Sequence, residues 1–234
     1  MNAVGQTAYV LPTGFYPYKS SFTAYVLSDT ELSALFAVID SLPNNPKNNE
    51  ATVAPVLFRL IYTCGLHPNE GRELKRKNIN LDNGEIKIVE TKKKKERLVV
   101  MSQDMMNLCR KFDSTFSLER EYFFQQLNGK TYTSSQVDKL IKKCWQSANP
   151  GIPNLPNIRT YDLRHRFASA RLNRWLDEGV NLNNKLVYFM VYMGHDHINE
   201  TRYYIQVIPE NIVKSSGIDW NVLNSVIPEV SKWR

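Results

Sequence analysis

The chain has 234 residues, of which 42% are hydrophobic and 23% are charged, and its formal net charge is +7. The length allows one large domain or two small ones, and the composition is typical of a soluble globular protein. No apolar run approaches the ~18 residues that a membrane-spanning helix needs, and the N-terminus has no signal-peptide features, whereas the positive charge favours a polyanionic partner such as nucleic acid.

At the N-terminus, residues 1–27 hold Pro, Gly, Tyr and Thr without a helical period, which predicts an extended arm or linker. Ser28 follows, and with Glu31 it forms the capping box of a first helix. A second helix is predicted from apolar residues at helical spacing over residues 53–64, and Gly65 ends it. The structured part of the chain is therefore expected to begin at the capping box.

The next segment changes from a helical to a strand period. Pro68 fits the first turn of a third helix, which is expected to end near Lys75. Ile86 and Ile88 then alternate with polar residues after an Asp-Asn-Gly turn, and a further strand is predicted over residues 97–101. The sequence thus predicts a small antiparallel β-sheet set among helices.

The rest of the chain is mostly helical. Apolar periodicity predicts further long helices, with Thr160 capping one and Gly194 ending another, over residues 102–111, 134–148, 160–177 and 183–193. Short helical pieces are expected from residue 199 to the C-terminus. The predicted fold class is therefore α+β, mostly helical.

Three cysteines, Cys64, Cys109 and Cys144, lie far apart in the sequence, each in an apolar helical pattern. Their odd number and wide spacing fit neither a disulfide framework nor a metal-ligand pair. The sequence therefore predicts buried free thiols, a reducing cytoplasmic compartment, and no metal or cofactor.

A run of consecutive lysines, residues 92–95, joins two predicted strands, and Arg97 follows it. Such a run is either a solvated hairpin tip or a basic finger on DNA phosphates, where each neutralised phosphate adds salt-dependent affinity. A lysine at a hairpin tip can also protonate a leaving oxygen. The run alone does not decide between these functions.

Two later segments contain further candidate residues. "TYDLRHRFAS" places Arg164 and His165 early on a helix after a Pro-rich loop, which favours a concave site for the arginine and a core position for the histidine. "YMGHDHINETRYYIQV" places His195 directly after a helix-ending glycine, and Tyr204 follows further along. An arginine alone indicates only a surface ion pair, and a tyrosine alone indicates packing. Their combination is more specific.

These segments, with two others, resemble the tyrosine recombinases, or phage-type integrases. The resemblance covers nearly the whole chain from residue 28 and rests on four blocks in the family's order. "TCGLHPNEGRELKRKNINL" resembles the first-arginine block, "ETKKKKERLVVM" the catalytic-lysine hairpin, "TYDLRHRFAS" the second-arginine block, and "MGHDHINETRYYIQV" the nucleophile block. The resemblance implies a tyrosine-recombinase catalytic fold over residues 28–234, without the usual N-terminal core-binding domain.

The resemblance also implies roles for the matching residues. Tyr204 would be the nucleophile, Arg164 the second phosphate-clamping arginine, and His195 a donor to the scissile phosphate. Tyr161 stands where many members have a histidine, and its hydroxyl can still donate a hydrogen bond to phosphate. Lys92 best matches the catalytic lysine, although the register within the run stays open. The other basic hairpin residues are expected to bind DNA: Lys93, Lys94, Lys95 and Arg97.

One position departs from the family pattern. His67 stands where the first catalytic arginine is expected, and Glu70 matches the acidic residue that supports that arginine. An imidazole lacks the planar fork of a guanidinium, although a nearby phosphate and Glu70 would favour its charged form. Arg72 is a poor substitute, because a helix turns it away from the direction of residue 67. We therefore expect DNA binding with much weakened strand cleavage.

The resemblance implies metal-free strand exchange on double-stranded DNA through a 3′-phosphotyrosyl intermediate, by a recombinase or integrase of a mobile element. Two alternatives remain: a weakened relative that binds DNA without cutting it, and a type IB topoisomerase-like enzyme that relaxes DNA. The C-terminal tail is expected to pack either on its own domain or on a neighbouring protomer of a tetrameric synapse. A cytoplasmic, nucleoid-associated protein of bacterial or phage origin is expected.

Overall fold

The computed structural model describes residues 25–89, 96–180, 182–196 and 200–201. The helices are α1 Asp29–Asp40, α2 Glu50–Cys64, α3 Pro68–Arg72, α4 Gln103–Asp113, α5 Ser134–Ala148, α6 Thr160–Asp177 and α7 Leu182–Met193. The strands are β1 Ile79–Asn80, β2 Glu85–Val89 and β3 Glu96–Val100, and a 3₁₀ turn at Arg76–Asn78 precedes β1. The predicted α+β, mostly helical class is confirmed. Of the described helices, none is long and apolar enough to cross a membrane.

Helix α1 begins where the sequence predicts. The Ser28 hydroxyl oxygen accepts a hydrogen bond from the Glu31 N–H (3.2 Å), and the Glu31 carboxylate accepts one from the Ser28 N–H (2.7 Å). The Tyr25 hydroxyl donates to the same carboxylate (2.6 Å), which ties the preceding chain to the helix start. These bonds satisfy N–H groups that a helix start leaves without partners, so the capping box is confirmed.

Helix α2 forms the centre of the core. Val53, Leu57 and Ile61 are each at most 2% exposed, and the helix packs against α1, α4 and α6. At its C-terminal end Gly65 adopts φ +64°, and a Cβ there would lie 2.4 Å from Cδ1 of Phe167 on α6. Only glycine fits this close approach, which joins the end of α2 to α6.

The sheet is antiparallel, with the order β1-β2-β3. Ile86 pairs with Val99, and Ile88 pairs with Arg97. Because alternate residues of a strand point to the same face, Arg97 shares the inner face with Val99, which is 0% exposed. The sequence predicts two of these strands, and β1 is an addition, with Ile79 paired to Ile86.

Two helix ends differ from the prediction. Helix α3 ends at Arg72 rather than near Lys75, because the chain passes into the 3₁₀ turn and β1. Thr160 is the first residue of α6 rather than its cap, since its hydroxyl donates to the Asp138 carboxylate (2.6 Å). At Thr160 a contact with another part of the chain therefore replaces the local capping pattern.

The three cysteines are buried free thiols, as predicted. Burial raises the pKa of Cys64 to about 11. A thiol with such a pKa is protonated at neutral pH and unreactive, so these residues contribute packing.

Candidate active site

Arg164 lies in the first turns of α6 and is only 3% exposed. Its Nη1 donates to the carbonyl oxygen of Gly65 (2.9 Å), and its Nη2 donates to that of Met193 (2.6 Å). These carbonyls lie at the C-terminal ends of α2 and α7, where the helix dipole places partial negative charge. The arginine therefore holds two helix ends together at a buried position.

His195 follows α7 directly, because Gly194 turns the chain with φ +72°. Its Nε2 lies 3.1 Å from Nη2 of Arg164, and its Nδ1 lies 2.8 Å from the hydroxyl oxygen of Thr201. A guanidinium can only donate, so Nε2 accepts, while Nδ1 carries the proton and donates to Thr201. Burial, and then the charge of Arg164, lowers the pKa of His195 to about 4. The ring is therefore neutral at pH 7.

Glu70, on α3, lies between two arginines. Nη1 of Arg97 donates to its Oε1 (2.6 Å), and Nη2 of Arg97 donates to its Oε2 (2.7 Å). Nη1 of Arg164 lies 3.9 Å from Oε2. Burial alone would raise the pKa of this carboxyl, but the hydrogen bonds and charge of Arg97 hold the pKa below its ordinary value. Glu70 is therefore ionised and bound mainly by Arg97.

His67 is the N-cap of α3. Its Nδ1 accepts a hydrogen bond from the Asn69 N–H (3.1 Å), and the Glu70 carboxylate accepts one from the His67 N–H (2.7 Å). Because Nδ1 accepts, the proton of the neutral ring is on Nε2. Burial, and then the charge of Arg164, lowers the pKa of His67. The ring is therefore mainly neutral at pH 7 in this arrangement, and a charged His67 beside a phosphate stays a prediction.

Tyr161 lies between two histidine rings. Its ring forms edge-to-face contacts with the ring of His67, 5.3 Å between centroids, and with the ring of His165, 4.7 Å between centroids. His165 is 5% exposed, as predicted for a core histidine. Burial, and then the charge of Arg159, lowers the pKa of His165 to about 4. The structure thus brings Tyr161 beside His67 and, through α6, close to Arg164.

Arg97 lies in a place that the sequence does not predict. The sequence groups it with DNA-contacting hairpin residues, but its side chain is 13% exposed and points to the inner face of the sheet. Its Nε donates to the carbonyl oxygen of Tyr192 (2.8 Å), and both Nη atoms bind Glu70. Strand alternation was the available signal, because Arg97 is two residues before the apolar Val99 and shares its face.

The remaining predicted site residues lie outside the described residues. These are Tyr204 and the lysines Lys92, Lys93, Lys94 and Lys95. The described chain reaches Thr201, and it resumes after the lysine run at Glu96. Within the described ranges, no cluster of three or more His, Cys, Asp or Glu side chains is placed to hold a metal ion.

The described part of the site has a small positive charge. Two guanidinium groups, of Arg164 and Arg97, and one carboxylate, of Glu70, leave a net charge of +1, since the rings of His67 and His195 are neutral. Fixed donors in a buried position can stabilise negative charge that develops on a phosphate. The arrangement is therefore suited to phosphoryl chemistry, with less charge than two unopposed arginines would give.

Relatives of the chain carry recombinase names. It is 29% identical over 185 residues to an integrase/recombinase homologue of Sinorhizobium fredii, covering 77% of this chain and 59% of that protein. It is 27% identical over 164 residues to the tyrosine recombinase XerA of Saccharolobus solfataricus, covering 67% of this chain and 47% of that protein. The chain thus spans about half the length of these curated relatives.

Solved structures share the fold. A crystal structure of XerA recombinase superimposes with a TM-score of 0.66 at 18% identity, covering 85% of this chain and 64% of that one. XerH recombinase bound to its difH substrate gives a TM-score of 0.66 at 21% identity, covering 89% of this chain and 56% of that one. The catalytic domain of bacteriophage HP1 integrase gives 0.54 at 19% identity, covering 84% and 96%. The predicted tyrosine-recombinase catalytic fold is confirmed.

The sequence model of the phage integrase family matches residues 26–211, which is most of the chain and includes every block that carries a candidate site residue. Fold, relatives and family model agree, and the chain belongs to the phage integrase family.

Proposed function

We propose that residues 28–234 form the catalytic domain of a tyrosine recombinase or integrase that acts on double-stranded DNA. The main support is that Arg164, His195 and Glu70 come from separate segments and meet in the fold. Nη2 of Arg164 lies 3.1 Å from Nε2 of His195, and Nη1 of Arg164 lies 3.9 Å from Oε2 of Glu70. The names of the relatives, and the XerH structure with its DNA substrate, support DNA as the partner.

The proposed reaction is a transesterification. The phenolic oxygen of Tyr204 forms a bond to the scissile phosphorus and gives its proton to water, the P–O5′ bond breaks, and the leaving 5′ oxygen takes a proton from Lys92. The phosphotyrosyl link keeps the energy of the phosphodiester, so the 5′-hydroxyl of a partner strand can reverse the step. A phenol of pKa about 10 is a weak nucleophile, and the site must therefore stabilise the transition state strongly.

Arg164 and His195 would meet the charge on the non-bridging phosphate oxygens. His195 would have to exchange the acceptor bond that its Nε2 makes with Arg164 for a donor bond to phosphate, with Nε2 carrying the proton. Tyr161 would add its hydroxyl, and His67 would add the neutral Nε2–H. A preorganised donor of this kind acts most strongly in a site from which water is excluded.

Cleavage by this site is expected to be weak, because His67 replaces a charged fork with one neutral donor. Loss of a single preorganised donor typically lowers a rate by about 10²–10³-fold. Burial and the charge of Arg164 lower the pKa of His67, which opposes its protonation near neutral pH. A chain that binds its DNA site and seldom cuts it is therefore the second candidate function.

A nicked suicide substrate tests the proposal, because it traps the covalent protein–DNA adduct. We expect His67→Arg to form the adduct about 10²–10³ times faster than the wild-type chain, and Tyr204→Phe to form none. Equal rates for wild type and His67→Arg would show that His67 does not limit cleavage. An adduct with Tyr204→Phe would remove Tyr204 as the nucleophile.

Further arms of the experiment separate the candidate functions. DNA binding without a wild-type adduct would select the binding-only function. Relaxation of a supercoiled plasmid that lacks a specific site would instead select a type IB topoisomerase-like activity. Salt titration of DNA binding would measure the phosphate contacts proposed for the lysines at 92–95.

The proposed assembly is a tetrameric synapse on DNA in the cytoplasm. The tail beyond residue 201, outside the described residues, contains apolar side chains at Ile212, Trp220 and Leu223 that would pack on the same or a neighbouring protomer. Light scattering of the chain with and without its DNA site would distinguish a monomer from a DNA-dependent tetramer.

A further inference from the structure

Arg97 joins three parts of the site. It starts from β3, binds Glu70 on α3 with both Nη atoms, and binds the Tyr192 carbonyl near the end of α7 with Nε. We infer that Arg97 is a positioning residue for strand cleavage, which holds Glu70 away from Arg164 and fixes the turn that carries His195. The inference rests on the proposed function.

Arg97 determines which cation the Glu70 carboxylate binds. Its oxygens lie 2.6 Å and 2.7 Å from the Nη atoms of Arg97, but 3.9 Å from Nη1 of Arg164. A two-pronged pair is the strongest form of this interaction, and it satisfies both oxygens. Without Arg97, the carboxylate would be a buried charge whose nearest cation is Arg164. Arg164 would then bind Glu70 in place of a phosphate.

Arg97 also packs on the turn after α7. Gly194 adopts φ +72°, and a Cβ at this position would lie 2.7 Å from Nη1 of Arg97. The guanidinium therefore packs directly on the backbone of the turn, and its Nε bond holds the Tyr192 carbonyl two residues earlier. This turn sets the place of His195 beside Arg164, so a shift of the guanidinium would shift the ring.

The sheet directs the Arg97 side chain towards Glu70. Arg97 pairs with Ile88 across the sheet and shares the inner face with Val99. A strand residue cannot change face unless the register slips, which would turn every neighbouring side chain as well. Arg97 is therefore fixed towards Glu70, although it directly follows the lysine run in sequence.

Substitutions of Arg97 test its positioning role in the suicide-substrate assay. Arg97→Gln removes the charge and the fork, and Arg97→Lys keeps the charge but cannot form the fork. We expect both to slow adduct formation about 10–100-fold, with the salt dependence of DNA affinity unchanged. If Arg97 contacts phosphate instead, Arg97→Gln will reduce the log–log salt slope by about 0.9 and Arg97→Lys will keep the rate. That result would overturn the inference.

Arg76→Gln is the matched control. Arg76 also binds a carboxylate with two prongs, at 2.7 Å and 2.7 Å to Asp113, and none of its hydrogen bonds involves the site. Arg76→Gln should leave the rate of adduct formation unchanged. If it slows the adduct as much as Arg97→Gln does, the effect is general destabilisation and the inference fails.

A second substitution tests whether the Glu70 carboxylate binds Arg164 once Arg97 is lost. The double variant Arg97→Gln/Glu70→Gln lacks the carboxylate that would bind Arg164 in Arg97→Gln. We expect the double variant to form the adduct faster than Arg97→Gln alone, whereas a purely structural loss would worsen. A slower double variant would contradict the role assigned to the Glu70 charge.

Nitrogen NMR of the histidine rings gives a readout that needs no DNA. Wild type should show His195 with the proton on Nδ1, Arg97→Gln should change its ring shifts, and Arg76→Gln should not. If the wild-type chain forms no adduct, these spectra alone decide on Arg97, and if it also fails to bind DNA, the proposed function fails. Identical His195 spectra in wild type and Arg97→Gln would overturn the inference.

Discussion

At the scale of single residues, His67 has a structural role that an arginine would not have. Its Nδ1 accepts the Asn69 N–H, and its backbone N–H binds Glu70, so the side chain begins α3. Because Nδ1 accepts the Asn69 N–H, the proton of the neutral ring is on Nε2. The His67→Arg substitution therefore adds a charge to the site and removes a helix cap at once, and the two effects need separate controls.

Truncation of His67 measures the cap. We expect His67→Ala to lower the free energy of unfolding by about 1 kcal/mol, because the Asn69 N–H loses its acceptor, while His67→Asn retains most of the stability since asparagine is a favoured N-cap. Urea denaturation of the three proteins makes the comparison. Equal losses for alanine and asparagine would show that the ring contact with Tyr161, and not the cap, is the stabilising interaction.

At the scale of elements, the site depends on how the end of α2 meets α6. Gly65 presents its carbonyl to Arg164, and its Cα packs against the ring of Phe167 one turn further along α6. The left-handed backbone at Gly65 makes both contacts at the same residue. The junction between the two helices therefore sets the position of the arginine.

Alanine at position 65 tests this junction. We expect Gly65→Ala to lower the free energy of unfolding by roughly 2–4 kcal/mol, from the left-handed backbone and from overpacking against Phe167. Gly151→Ala is the matched control, because Gly151 has φ +74° and a Cβ there would meet no atom within 4 Å, so this variant isolates the backbone cost. Similar losses for the two variants in urea would mean that Phe167 moves aside freely.

The sequence predicts the elements better than it predicts their contacts. Local patterns identify the capping box at Ser28, the end of α2 at Gly65 and the bounds of α5, and the ordered blocks indicate that Arg164 and His195 belong together. The inward direction of Arg97 was missed because the neighbouring lysines suggested an exposed tip. Its partner at Tyr192 is 95 residues away, so no local pattern could show the bond.

At the scale of the whole molecule, folding buries several ionisable groups in neutral form. His165 and His195 both have a pKa lowered to about 4, in each case first by burial and then by a nearby arginine. The pKa of His67 is lowered too. The unfolded chain, in which histidine titrates near 6.5, therefore binds more protons than the folded chain between these values.

Stability should consequently fall as the pH drops through 6.5 towards 4. Each buried histidine contributes up to about 1.4 kcal/mol per pH unit in this window, so we expect a loss of several kcal/mol between pH 7 and pH 5. Urea denaturation at pH 7, 6 and 5 measures it, and His165→Gln should flatten the dependence because it removes one titrating group. A free energy of unfolding that stays constant over this range would contradict the burial of neutral histidines.

The carbonyl bonds of Arg164 give one side chain two roles, in the proposed chemistry and in the meeting of the α2 and α7 ends. Position 67 requires only a side chain that caps α3, and asparagine, aspartate, serine or threonine would also do so. The fold therefore requires an arginine at position 164 whether or not DNA is cut, and this residue by itself is a poor marker of strand cleavage.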